Sequence, residues 1–212
     1  MIAAVTVEAA RYLREVITLP GIIWFAIGVG AFVGFYLLFL RGRITFLERL
    51  LHEMRHAIMA WLFTGQLPTR MLVEPEGTSM VLVPTGGGCF TTLAPYLFPL
   101  LVLPFLGIKV ALALAALFMD VRLPRPVGMG LDFLIGVTWG LHIVLVIREF
   151  HFGQDDFKRM GKIFSAVMVI FLNFFFLVLV LAVVTNSYTE FWEFLKACWE
   201  TTKEFYAATW RF

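Results

Sequence analysis

Charge is scarce in this chain. Only 15% of its 212 residues are Asp, Glu, Lys or Arg, against about 25% in a soluble domain, while 60% are hydrophobic. A composition so short of charge suits a bilayer, and the apolar runs leave no room for a separate soluble domain. The net charge of +2 is too small to recruit nucleic acid. Cysteine is equally sparse. Cys89 and Cys198 stand far apart in unrelated contexts, which argues against a disulfide framework and a cysteine-based metal site. Four histidines are too few for a di-metal oxidase or hydroxylase. Without any internal repeat there is no repeated broken-helix pattern of a transporter. The N-terminus lacks a basic region, apolar core and small-residue cleavage site in succession, so no cleaved signal peptide is expected.

What the chain has is a series of long apolar runs. Residues 1–19 set Glu8, Arg11, Tyr12 and Glu15 opposite an apolar face, the pattern of a helix lying on a membrane surface. Gly21–Leu40 supplies the ~20 residues that a span requires. Its Gly30 and Gly34 make a small-xxx-small pattern that permits close helix packing, although a plain lipid-facing helix fits as well. In the polar stretch "GQLPTRMLVEPEGTSMVLVPTGGG", residues 65–88, two β-like runs, Met71–Glu74 and Met80–Val83, flank a Glu-Gly turn. They predict a small β-hairpin.

Residues 90–119 form an apolar run too long for one untilted crossing, interrupted by Pro99, Pro104 and Gly107, and a helical hairpin is expected there. A span at about 128–148 carries Trp139 and His142, and one at about 163–185 carries Asn173. The tail, 186–212, reads as a second interfacial helix. The expected fold is therefore an all-α integral membrane bundle. It is one domain over 1–212, with about five to six transmembrane segments and a β-hairpin after its polar helix. The small size points to a bacterial-type inner membrane.

That polar helix is "RITFLERLLHEMRHAIMAWLF", residues 43–63. His52 and His56 are four apart, so their side chains stack on one helical face. With Glu53 they form H-E-x-x-H, in which two imidazoles bind one Zn²⁺ and the Glu acts as general base on a water. Thr45, Glu48, Arg49, His52, Glu53, Arg55 and His56 crowd into an arc of roughly 160°. Leu50, Leu51, Met54, Ala57, Ile58, Trp61 and Leu62 fill the other side. Charged groups in a membrane helix normally face the bundle interior or water and mark function.

An H-E-x-x-H in such a helix, followed by a β-like segment and the Gly-rich turn "PTGGG" at 84–88, resembles the site-2 protease family of intramembrane zinc metalloproteases. The stretch "GVTWGLHIVLVIREFHFGQDDFKRMGKIFS" is similar to the second half of its small members, and the resemblance covers about residues 44–175. It implies a zinc metallopeptidase acting on membrane-associated protein or peptide substrates. It also implies a third ligand from a distant Asp, which matches Asp156, with Asp155 second in line. Two features depart from the family pattern: Arg55 replaces the usual Gly before the second His, and Gln154-Asp155-Asp156-Phe157 replaces Leu-Asp-Gly. Both favour the alternative of a catalytically inactive relative serving as a membrane scaffold or regulator.

Further candidates remain open. His142 lies six residues before Arg148, ~9 Å along its helix and near the depth of His52, as a rival third ligand or a group that orients one. Asp155 and Asp156 would otherwise cap a helix. Asn173 is either interhelical glue or, with Gly86 and Gly87, a holder of substrate backbone. His151 and Asp132 are expected at membrane edges, in water. Counting crossings, Asp156 reaches the face of His52 only if residues 90–119 fold back as a hairpin.

Overall fold

The computed structural model describes residues 11–12, 21–73, 80–82, 88–119, 124–150 and 155–209. Helix α1 (Gly21–Phe35) runs on through a π-helical turn to Leu40, and α2 (Thr45–Thr64) follows. Strands β1 (Arg70–Leu72) and β2 (Met80–Leu82) pair antiparallel, with Met71 opposite Val81. The expected Glu-Gly turn between them, and Gly86 and Gly87, lie outside the described residues. Two short helices, α3 (Gly88–Thr92) and α4 (Ala94–Leu97), precede α5 (Val102–Met119) and α6 (Arg125–Glu149). The chain ends in α7 (Asp155–Met160), α8 (Lys162–Thr185) and α9 (Tyr188–Thr209). The predicted N-terminal helix is described only at Arg11 and Tyr12.

Among the described residues four helices are long and apolar enough to cross a membrane: Gly21–Leu40, α5, α6 and α8. The sequence suggested five to six. The difference lies in α2, counted as a span from the sequence but not among the four, and in residues 90–119, which hold one such helix rather than a hairpin of two. Phe98 is extended (φ −99°, ψ 108°), as the residue before a proline prefers, so the chain breaks there. Pro104 falls in the first turn of α5, where its missing N–H has no intrahelical partner to lose. It starts a helix instead of splitting one. Helix α2, rich in charged residues, is not among the four, and two long apolar helices, α5 and α6, lie between it and Asp156 along the chain.

Contacts group the chain into two compact units. The first comprises residues 1–29, 103–137 and 174–212. Within it α1 and α6 meet at two glycines. A methyl group built on Gly28 would strike the Phe133 carbonyl, and one on Gly136 the Phe25 carbonyl, well inside contact distance. The anticipated pair, Gly30 and Gly34, faces open space instead, as a lipid-facing position would. Gly28→Ala is therefore expected to destabilise by about 1–3 kcal/mol through overpacking, and Gly30→Ala to be neutral or better because Ala favours helix. Thermal unfolding of the two variants in detergent checks the contrast.

The same unit contains a buried ion pair. Lys109 donates to Asp132 Oδ1 and, at 2.6 Å, to the carbonyl of Val184. Asp132 was expected in water at a membrane edge, but it is buried. It stands seven residues beyond Arg125, the first residue of α6, or ~10 Å along the helix, where a carboxylate needs a partner.

The second unit comprises residues 30–102 and 138–173. Helix α2 closes at Gly65, whose left-handed backbone (φ 70°) returns its N–H to the Trp61 carbonyl at 2.8 Å, a common helix stop. Its arrangement is inside-out: Glu53 and Arg55 are buried, whereas Trp61, Leu62 and Phe63 are exposed. One apolar cluster joins Tyr36, Ile44, Leu51, Val144 and Leu145. A second joins Leu93, Tyr96, Leu97, Val146, Phe157 and Val169, bringing α4, α6, α7 and α8 together beneath the polar face of α2. Arg148 ties the unit's edge, donating to Glu48 at 2.8 Å and to the Tyr36 hydroxyl at 2.9 Å.

Candidate metal centre

One turn of α2 carries His52 and His56 side by side, their ring centroids 5.0 Å apart. The side chain of Asp156, in the first turn of α7, meets them from across the unit. Its Oδ2 lies 3.8 Å from His52 Nε2 and 3.6 Å from His56 Nε2. One ligand atom from each of the three residues falls within 4.8 Å of the others. Four-coordinate zinc, at about 2.0–2.2 Å from nitrogen and oxygen ligands, sets neighbouring ligand atoms ~3.4 Å apart. The two Asp156–His spacings are slightly wider than this, and no pair in the group is more than 4.8 Å apart.

The other ring nitrogens define which atoms are presented. His56 Nδ1 sits 2.8 Å from the Thr91 carbonyl. A carbonyl only accepts, so Nδ1 carries the proton and Nε2 of the neutral ring keeps its lone pair. His52 Nδ1 lies 3.0 Å from Glu149 Oε2, and a carboxylate sets the same tautomer there. With both rings neutral, two imidazole lone pairs and a carboxylate oxygen would face one point; burial opposes a charge on His56, but the hydrogen bond and charge of Asp156 raise its pKa. This donor set would fit a divalent ion such as Zn²⁺, and Glu149 and the Thr91 carbonyl, which bond the two Nδ1 atoms, would then be the outer partners of the histidines.

Glu53 is 6% exposed. It is outside the His-His-Asp group, and its charge acts on His56.

Asp155 is placed elsewhere. It is exposed and bonds Lys158 at 2.8 Å, whose hydrogen bond and charge hold its carboxyl below the usual range. His142 is outside the group too. Its Nε2 lies 2.8 Å from Asn173 Oδ1, an interhelical hydrogen bond. Asn173 Nδ2 donates to the carbonyls of Tyr96, at 2.7 Å, and Val169, at 2.8 Å, so this amide serves as glue between elements. Arg55 bonds the Leu51 carbonyl at 3.1 Å and the Pro95 carbonyl. His151 lies outside the described residues.

Sequence reasoning passed over three contributors. Glu149 looked like an ordinary acidic residue at the end of a span, Thr91 acts through its backbone, and Tyr96, in "LAPYLFP", has no motif to announce it. The Tyr96 hydroxyl lies 3.4 Å from Asp156 Oδ2, and its ring stands edge-on to His52 with centroids 5.8 Å apart. Only the carboxylate at 149, close in depth to a ligand-bearing helix, carried a usable signal. No family model matches this chain, and no curated protein or solved structure is significantly similar to it.

Proposed function

We propose that the chain is an integral membrane zinc endopeptidase, of the kind the site-2 protease family comprises, that hydrolyses peptide bonds of membrane-associated proteins or peptides. The observation that carries this reading is the meeting of His52 and His56 Nε2 with Asp156 Oδ2 beside a buried Glu53. Membrane residence is supported by the four long apolar helices. It is also supported by large apolar side chains left bare, among them Leu117 at 75%, Phe118 at 81% and Ile163 at 83% exposed, which in water would be an aggregation liability. The small size of the chain, 212 residues, is the basis for proposing a bacterial-type inner membrane.

In this reading His52, His56 and Asp156 would hold the ion. Bound there, zinc would supply Lewis-acid chemistry and lower the pKa of a water. Glu53 would take a proton from the attacking water as the new C–O bond forms, and then give it to the amine nitrogen as the C–N bond breaks. Glu149 and the Thr91 carbonyl keep both imidazoles turned so that Nε2 faces Asp156. The inactive-scaffold alternative rests on Arg55 and on the Gln154-Asp155-Asp156-Phe157 setting; Nε and Nη1 of Arg55 bond the Leu51 and Pro95 carbonyls.

The test is hydrolysis of a library of apolar, helix-forming peptides in detergent micelles. Activity is expected to disappear on chelation and to return with added Zn²⁺. Cleavage that persists in chelator would overturn the metallopeptidase reading.

A further inference from the structure

Helix α4 is a single turn of four residues, Ala94–Leu97, and all four are buried. A helix so short cannot hold itself, and its last carbonyls have no partners within it. The Ala94 carbonyl accepts from the N–H of Phe98 at 2.9 Å. The next two carbonyls are taken by side chains from other helices. Arg55 of α2 donates through Nη1 to Pro95, and Asn173 of α8 donates to Tyr96 at 2.7 Å. Both grips are braced. Arg55 is 2% exposed and also bonds Leu51 on its own helix at 3.1 Å. Asn173 also donates to Val169 at 2.8 Å and accepts at His142.

The residue between these grips is Tyr96, which is fully buried. Its ring packs on Phe157, next to Asp156, with centroids 4.9 Å apart. Its hydroxyl reaches Asp156 Oδ2, and its edge meets His52. One aromatic side chain therefore touches both of the elements that carry the His-His-Asp group.

We infer that Arg55 and Asn173 are positioning residues which clamp consecutive carbonyls of α4, and thereby set Tyr96 as the outer partner that orients Asp156 and His52 for the metal. The inference rests on the metal reading above. It gives Arg55, which departs from the family pattern, a role of its own: a buried guanidinium there completes a helix end that the ligand set leans on.

The test measures Zn²⁺ affinity of the full-length protein in detergent, by competition with a chromophoric chelator, for wild type and for Tyr96→Phe, Arg55→Met, Arg55→Lys and Asn173→Leu. Gly28→Ala, in the other unit, serves as a control for lost stability alone. Outer partners of metal ligands typically contribute 10–100-fold in affinity. Tyr96→Phe, Arg55→Met and Asn173→Leu are each expected to weaken binding by about that factor, Arg55→Lys by less, and Gly28→Ala not at all. The discriminating measurement is the Arg55→Met/Tyr96→Phe double variant. Because Arg55 acts through Tyr96, it should bind no more weakly than the worse single variant, since coupled residues are non-additive. Folded single variants with wild-type affinity, or losses that simply multiply in the double variant, would overturn the positioning role. A wild type that takes up no zinc would instead overturn the metal reading, and this inference with it.

Discussion

Glu53→Gln is expected to slow peptide hydrolysis by about a hundred- to ten-thousand-fold, the usual contribution of a positioned general base, while zinc content stays as in the wild type. Glu53 follows His52 directly on α2, is buried, and stands outside the ligand group. An amide of the same shape keeps the packing but accepts no proton from water at neutral pH. The loss should fall on kcat, because substrate binding does not depend on that proton. Steady-state kinetics on a cleaved peptide, beside elemental analysis of the same preparation, separates the possibilities. Loss of zinc together with activity would make Glu53 a ligand, and retained activity would remove it from the chemistry.

Lys109→Met is expected to destabilise the protein by about 3–5 kcal/mol, the cost of stranding one member of a buried ion pair. Both partners are buried on long apolar helices, and Lys109 also serves the Val184 carbonyl at 2.6 Å. Removing the ammonium leaves a carboxylate and a carbonyl without their donor. Replacing both charges, as Lys109→Met/Asp132→Leu, should recover most of the loss, since apolar substitutes for a buried pair are often neutral or stabilising. Thermal unfolding in detergent gives the comparison. A single variant as stable as wild type, or a double variant as poor as the single, would contradict it.

The helical face of α2 is legible in the sequence because i,i+4 geometry is local: any helix through residues 45–64 puts His52 beside His56. Asp156 is legible only through the family resemblance and a count of crossings. That count required a hairpin at 90–119 because it took α2 as a full crossing, and it read Pro104 as a breaker when a proline in a first turn is tolerated. Glu149 and Tyr96 meet the site through tertiary packing of α6 and α4, which no spacing encodes. The glycines show the same limit. Small-xxx-small marks Gly30 and Gly34, but the tight approach falls at Gly28 and Gly136, because helix rotation decides which small residue faces a neighbour. Asp132 was misplaced for a related reason. Its partner, Lys109, lies on a helix twenty-three positions earlier, and no local pattern links the two.

The most direct measurement is the zinc content of the detergent-purified protein, prepared with sufficient metal, beside His52→Ala, Asp156→Ala, Asp155→Ala and His142→Ala. The expected result is about one zinc per chain in the wild type, as three protein ligands imply. Zinc should be lost in His52→Ala and Asp156→Ala and kept in Asp155→Ala and His142→Ala. A wild type without zinc, or an Asp156→Ala variant that retains it, would contradict the His52–His56–Asp156 centre.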